Sequence, residues 1–134
     1  MARKILACDD EAAILQLIRV NLEMAGYEVE TARDGREALE KVRAERPELV
    51  ILDIMMPYRD GFGVLQEIRR NPSTRDLPVI LLTARSSDAD TLRGWQEGAD
   101  SYITKPFNPK ELLTFVERIF AGTDGKDAAS REEV

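Results

Sequence analysis

An α/β domain whose mainly parallel sheet is covered by helices on both faces is the fold this sequence predicts, and three observations predict it. The runs 49–53 and 77–83 are short and almost wholly apolar, with no polar alternation. Such runs read as strands buried on both faces, as in a parallel sheet covered by helices. Segments with helical spacing separate these runs from other strand-like ones, so that five strands alternate with five helices. At 134 residues the chain can build one well-covered core but not two ordinary domains. Right-handed crossovers with helices on both faces make the sheet doubly wound.

The first strand, 5–8, runs straight into Asp9, Asp10 and Glu11, and Asp10 is placed to cap the helix that follows. That helix carries Ile14, Leu17, Ile18, Leu22 and Ala25 at helical spacing, with Gly26 as its stop. Residues 27–31 alternate and read as a second strand, at an edge. A second helix starts near Asp34 and Gly35, shows Ala38, Leu39 and Val42, and ends at Pro47. The third strand, Leu49–Asp53, leads through a loop over 54–61 into a helix with Phe62, Leu65 and Ile68, stopped by Asn71 and Pro72. Pro78 is tolerated at the start of the fourth strand. Ser86, Ser87 or Asp88 caps a fourth helix that ends at Gly98. A short fifth strand, 101–104, is followed at once by Lys105 and Pro106. The last helix begins near Pro109 and carries Leu112, Leu113, Val116, Ile119 and Phe120. Beyond Ala121 the apolar periodicity stops and Gly, Asp, Ser and Glu dominate. The domain is therefore expected to span 1–121, with 122–134 a disordered tail or the start of a linker.

Composition narrows the chemistry. The chain has no histidine, which excludes histidine triads, histidine metal ligands and any phosphohistidine of its own. Its single cysteine, Cys8, lies in an apolar run and reads as a small core residue rather than a redox group. A net charge of −6 with no local basic patch argues against direct nucleic-acid binding. No apolar run approaches the length of a membrane span, and the amino terminus leads into a strand, so a cytoplasmic location is expected and no membrane partner.

Four strands end in polar residues that the fold would bring to one edge: Asp9 and Asp10, Asp53, Thr83 and Lys105. In open α/β sheets the ligand crevice lies outside the carboxyl ends of the strands. Alone, each residue has an ordinary explanation as a turn, a cap or a solvated charge. Together they form a set that an arbitrary α/β domain has little reason to assemble. Two carboxylates about 4 Å apart repel by roughly 4 kcal/mol at an effective dielectric near 20, so three of them call for a cation. An all-oxygen set without Cys or His points to Mg²⁺ or a similar hard ion such as Mn²⁺. A carboxylate nucleophile, a divalent metal, a hydroxyl and a lysine make a phosphoryl-transfer site.

From about Arg3 to Ala121 the chain resembles the receiver domains of two-component response regulators. The resemblance is carried by Asp9-Asp10-Glu11, Asp53 before Met55-Met56-Pro57, Gly61, Thr83-Ala84, Gly98-Ala99-Asp100 and Lys105-Pro106-Phe107. It implies a flavodoxin-like receiver fold with strand order 2-1-3-4-5 and five helices. It implies that Asp53 accepts a phosphoryl group from a sensor histidine kinase or a phosphotransfer protein. Asp10 would bind the metal, with Asp9 as ligand or supporting acid and the backbone carbonyl of Met55 completing the set. Lys105 would pair with Asp53 and then with the phosphoryl oxygens, and a cis peptide bond would precede Pro106. Thr83 would move to the phosphoryl group beside the small Ala84, and Tyr102 would turn inward with it. That movement would change the face formed by the fourth helix, fifth strand and fifth helix, and so control an output domain or effector. Only self-phosphorylation and slow self-dephosphorylation are expected as chemistry, not turnover of an external substrate.

The sequence also departs from the family pattern. Tyr58-Arg59 replaces the small or flexible pair usual after the proline. Met55 and Arg85 stand where the family tunes self-dephosphorylation, and an apolar Met55 suggests a phosphoryl group of moderate or long lifetime. Thr91, Ser101 and Phe115 replace charges through which receivers with winged-helix outputs pair. Trp95, Tyr102 and Phe115 then mark the expected partner face, and any pairing of two copies on phosphorylation would use contacts other than those charges. Two other readings stand beside this one. A magnesium-dependent aspartyl-phosphate phosphatase of the dehalogenase type would carry a second Asp where Met55 stands. An inactive pseudo-receiver would lack some of Asp10, Asp53, Thr83 and Lys105.

Overall fold

A computed structural model of the chain describes residues 2–58, 60–83, 96 and 98–133. Its elements run β1 (Lys4–Cys8), α1 (Ala12–Met24), β2 (Glu28–Ala32), α2 (Gly35–Glu45), β3 (Leu49–Asp53), α3 (Gly61–Arg70), β4 (Val79–Thr83), β5 (Ser101–Thr104) and α4 (Pro109–Glu133). The five strands form one parallel sheet in the order β2-β1-β3-β4-β5, as expected. Four helices lie among the described residues. The expected helix between Ser86 and Gly98 falls almost wholly outside them.

Burial follows the strand chemistry. Every residue of β3 and β4 is buried, because helices cover both faces of the central strands. On one face α2 and α3 pack Ala38, Val42, Phe62, Leu65 and Ile68 against Leu6, Val50, Leu52 and Leu81. On the other, α1 and α4 pack Leu15, Ile18, Leu22, Leu112, Val116 and Phe120 against Ile5, Ile51, Ile80 and Ile103. Cys8 is buried within the first layer, and burial pushes its thiol well above the ordinary range, as suits a core residue.

Several local readings are corrected. Asp10 does not cap α1. Glu11 takes the cap position without a side-chain bond, and the Glu11 amide donates instead to Asp9 Oδ1 at 3.0 Å. The inward face of α1 is Leu15, Ile18 and Leu22, so Leu17 faces outward, and Ala25 is an exposed residue just past the helix end. β4 begins at Val79, after Pro78, whose carbonyl accepts the Val50 amide at 3.0 Å. The backbone of α4 is helical through Glu133, well past Ala121. No proline interrupts the added segment, and Ala, Lys, Arg and Glu within it are good helix formers.

Candidate functional site

The carboxyl ends of β1 and β3 are adjacent in the sheet, because Cys8 pairs with Leu52. That register sets Asp9 and Asp53 side by side, one residue beyond the paired core. Both carboxylates are buried, whereas Asp10 is exposed, and one oxygen from each of the three lies within 4.8 Å of the others. Lys105, just after β5, reaches across this edge. Its ammonium stands 2.7 Å from Asp9 Oδ2, 3.4 Å from Asp53 Oδ2 and 3.7 Å from Glu11 Oε1. The Lys105 amide donates to the Thr83 carbonyl at 2.6 Å, which ties the start of this loop to the end of β4. The peptide between Lys105 and Pro106 is cis.

The electrostatics of this edge are unbalanced. Burial, then the neighbouring Asp9 carboxylate, pushes the Asp53 carboxyl up to about 6, against the pull of Lys105 and of the Met55 amide, which donates to Asp53 Oδ1 at 3.3 Å. Burial works against the Lys105 charge, but contact with Asp9 and the fields of Asp53 and Asp9 overcome it and hold that ammonium above its usual value. Asp9 Oδ2 is buried without an aligned hydrogen-bond donor, so Lys105 meets it as an ion pair only. One ammonium among Asp9, Asp53, Asp10 and Glu11 leaves an excess of negative charge. Three converging carboxylates, with only one ammonium among them, fit a hard divalent metal such as Mg²⁺.

The remaining sequence-predicted residues fall around this centre. Thr83 is buried at the end of β4, where it pairs in register with Thr104 of β5. Tyr102 is half-buried against the α2–α3 layer, and among the described residues its buried hydroxyl has no hydrogen-bond partner. The Met55 side chain is 70% exposed beside the acids. Phe115 is half-buried against the α1–α4 layer, with the Arg118 guanidinium 6.0 Å from its ring centre. Ala84, Arg85, Thr91 and Trp95 lie outside the described residues.

Two contributions escaped the sequence reading. Arg33 donates to the Asp10 carbonyl at 3.2 Å and so braces the acidic loop from the end of β2. Nothing in the sequence signals that long-range contact. Gly61, noted only as part of a motif, lies directly against the backbone of Asp53 and Ile54.

A sequence model of the response regulator receiver domain matches residues 5–117. This chain belongs to that family. Among similar curated proteins, a probable transcriptional regulator, ycf27, of Cyanophora paradoxa is 47% identical over 122 residues, covering 91% of this chain and 50% of the relative. The DNA-binding dual master transcriptional regulator RpaA of a Synechocystis strain is 42% identical over 132 residues, covering 98% of this chain and 55% of the relative. The receiver chain thus spans about half the length of the curated relatives it matches. Among solved structures, the chemotaxis response regulator CheY4 of Vibrio cholerae superposes with a TM-score of 0.84 at 39% identity, covering 89% of this chain and 99% of that one.

Proposed function

We propose that this receiver domain is a phosphorylation-operated switch in which Asp53 is the phosphoacceptor, taking its phosphoryl group from the phosphohistidine of a sensor histidine kinase or phosphotransfer protein. The observation that carries the reading is the buried Asp9–Asp53–Lys105 cluster with Asp10 at its mouth. Near pH 7 most Asp53 carboxyls are ionised despite their raised pKa, so an oxygen lone pair is available. An Asp53 oxygen attacks phosphorus in line as the P–N bond breaks, and an acyl phosphate forms. The Lys105 ammonium, shared between Asp9 and Asp53 beforehand, turns to the new phosphoryl oxygens. Asp9, Asp10, Asp53 and the Met55 carbonyl would hold Mg²⁺ or Mn²⁺, which when bound supplies positive charge to offset that of the phosphoryl group.

The Thr83 hydroxyl then binds the phosphoryl group, and Tyr102 moves with it. Its buried hydroxyl, unpartnered among the described residues, is a polar group with reason to change place. The readout face includes Tyr102 and Phe115 and, beyond the described residues, Trp95; an output domain, an effector or a second copy would meet it there. Met55 and Arg85 set the lifetime of the acyl phosphate. The chain acts in the cytoplasm. Among the described residues no helix is long and apolar enough to cross a membrane. Residues 122–134 serve as a tail or as the start of a linker, and the receiver itself does not contact nucleic acid.

Beryllofluoride binding tests the reading, because it mimics the acyl phosphate. Binding should require Mg²⁺ and vanish in Asp53→Ala. Binding that persists in that variant would remove Asp53 from its role.

A further inference from the structure

Gly61 begins α3 directly against the backbone at the end of β3. A Cβ added there would stand 2.4 Å from the Asp53 carbonyl oxygen, 2.7 Å from Ile54 Cα and 3.0 Å from the Asp53 carbonyl carbon. All three atoms are backbone, so no side chain could swing aside to make room. The Gly61 amide donates to the Ile54 carbonyl at 2.8 Å, which closes the loop 54–61 onto the end of β3. The same loop is held on its other side, where the Gly35 amide donates to the Pro57 carbonyl at 3.3 Å, and α3 is capped by Asp60 through the Gly63 amide at 2.8 Å. Tyr58 within this loop has φ +67, a left-handed conformation that costs a bulky residue energy and persists only where its surroundings fix it.

We infer that Gly61 is a positioning residue: by lacking a side chain it lets α3 seat directly on the Asp53–Ile54 peptide, and that seating sets where the Asp53 carboxylate stands relative to Lys105, Asp9 and Asp10. The inference rests on the acidic cluster being the working site. A methyl group at position 61 has to push the Asp53 carbonyl outward by several tenths of an ångström or more. Rotation of that peptide carries the carboxylate with it. A displacement of about 1 Å is enough to disorganise a site of this kind.

The test is Gly61→Ala, with two variants that perturb the fold without touching Asp53. Gly98→Ala puts a Cβ 3.1 Å from the Arg69 Nε and onto a φ of +95 at the opposite end of the sheet. Asp60→Ala removes the α3 cap but leaves the Gly61 contact in place. Magnesium affinity is measured on the folded proteins by titration, beside thermal melting and the rate of phosphorylation by a small acyl phosphate. Gly61→Ala should bind magnesium at least 10-fold more weakly and be phosphorylated at least 10-fold more slowly, while the other two stay within about 2-fold at comparable loss of melting temperature. Unchanged magnesium affinity in Gly61→Ala overturns the inference, as does an equal loss in Gly98→Ala. If Gly61→Ala does not fold, the unaltered protein decides: the Gly61 amide resonance should shift on magnesium titration with the same midpoint as that of Met55, and an unmoved Gly61 signal overturns the inference. Failure of the phosphoacceptor reading is separate, because it shows in Asp53→Ala whatever Gly61 does.

Discussion

The two ends of the sheet handle charge in opposite ways. At the amino ends of β4 and β5, Arg69 of α3 is well supplied with acceptors. Its guanidinium donates to the carbonyls of Gly98 at 2.7 and 2.9 Å, Leu77 at 2.6 Å and Arg75 at 3.1 Å, and to the Asp100 carboxylate at 3.0 Å. Asp100 in turn accepts the Val79 amide at 2.9 Å. Burial lowers the Arg69 pKa and Asp100 opposes that shift. At the carboxyl ends, Asp9 and Asp53 share one lysine, an oxygen goes without an aligned donor, and the Asp53 carboxyl rises to about 6. A satisfied network locks its elements, whereas an unsatisfied one stores a preference for something that is to arrive. One edge of the sheet thus has its charge answered by hydrogen bonds, and the other holds more acids than its single lysine balances.

That contrast can be broken from either side. The largest effect is expected at the satisfied end. Arg69→Ala removes five hydrogen bonds and leaves the half-buried carbonyls of Leu77 and Gly98 without that donor, and should cost about 3 kcal/mol in urea unfolding while leaving magnesium affinity unchanged. A loss below about 1 kcal/mol would show that solvent replaces the clamp.

At the acidic end the sign reverses. Asp53→Asn should stabilise the fold by roughly 2–3 kcal/mol at pH 7 without added metal, since it removes a charge whose folded pKa lies near 6 instead of 3.8. Above about pH 6 the charged carboxylate carries its full cost in the folded state. As pH falls from 6 toward 3.8 the folded protein takes up the proton first and the cost disappears. The advantage of Asn should therefore shrink across that window, and magnesium at pH 7 should shrink it as well. Unfolding curves at pH 7 and pH 4 check both, and an advantage that grew on acidification would refute the assignment.

The smallest effect lies away from both ends. Gly122 sits in α4 with nothing within 4 Å of the point a Cβ would occupy, so Gly122→Ala should raise stability by about 0.5 kcal/mol through helix propensity alone. It should move neither magnesium affinity nor the Arg69 clamp, and melting curves with and without magnesium would show this.

Much of the fold was legible along the chain. The boundaries of Leu49–Asp53 and the start of α2 behind its Asp34 cap follow from apolar runs and turn chemistry, which act over a few residues. The outward turn of Leu17 was not legible, because one helix offers two adjacent apolar stripes and only packing against β1 and α4 chooses between them. Nor was the end of α4, where propensity and the loss of an apolar face point in different directions. The Asp10 cap failed because the buried Asp9 captured the Glu11 amide first.

The acidic cluster divides along the same line. Residue types at strand ends, in a chain whose alternation forces a parallel sheet, were enough to nominate Asp9, Asp10, Asp53, Thr83 and Lys105. Tertiary structure alone decided that Asp9 and Asp53 are buried while Asp10 is exposed, that Lys105 leans closer to Asp9 than to Asp53, and that Gly61 sits against the Asp53 peptide. Pattern along a chain reports which face or end a residue occupies. Distances between ends of different strands depend on register, twist and the packing of α3, and those exist only once the sheet has closed around its core.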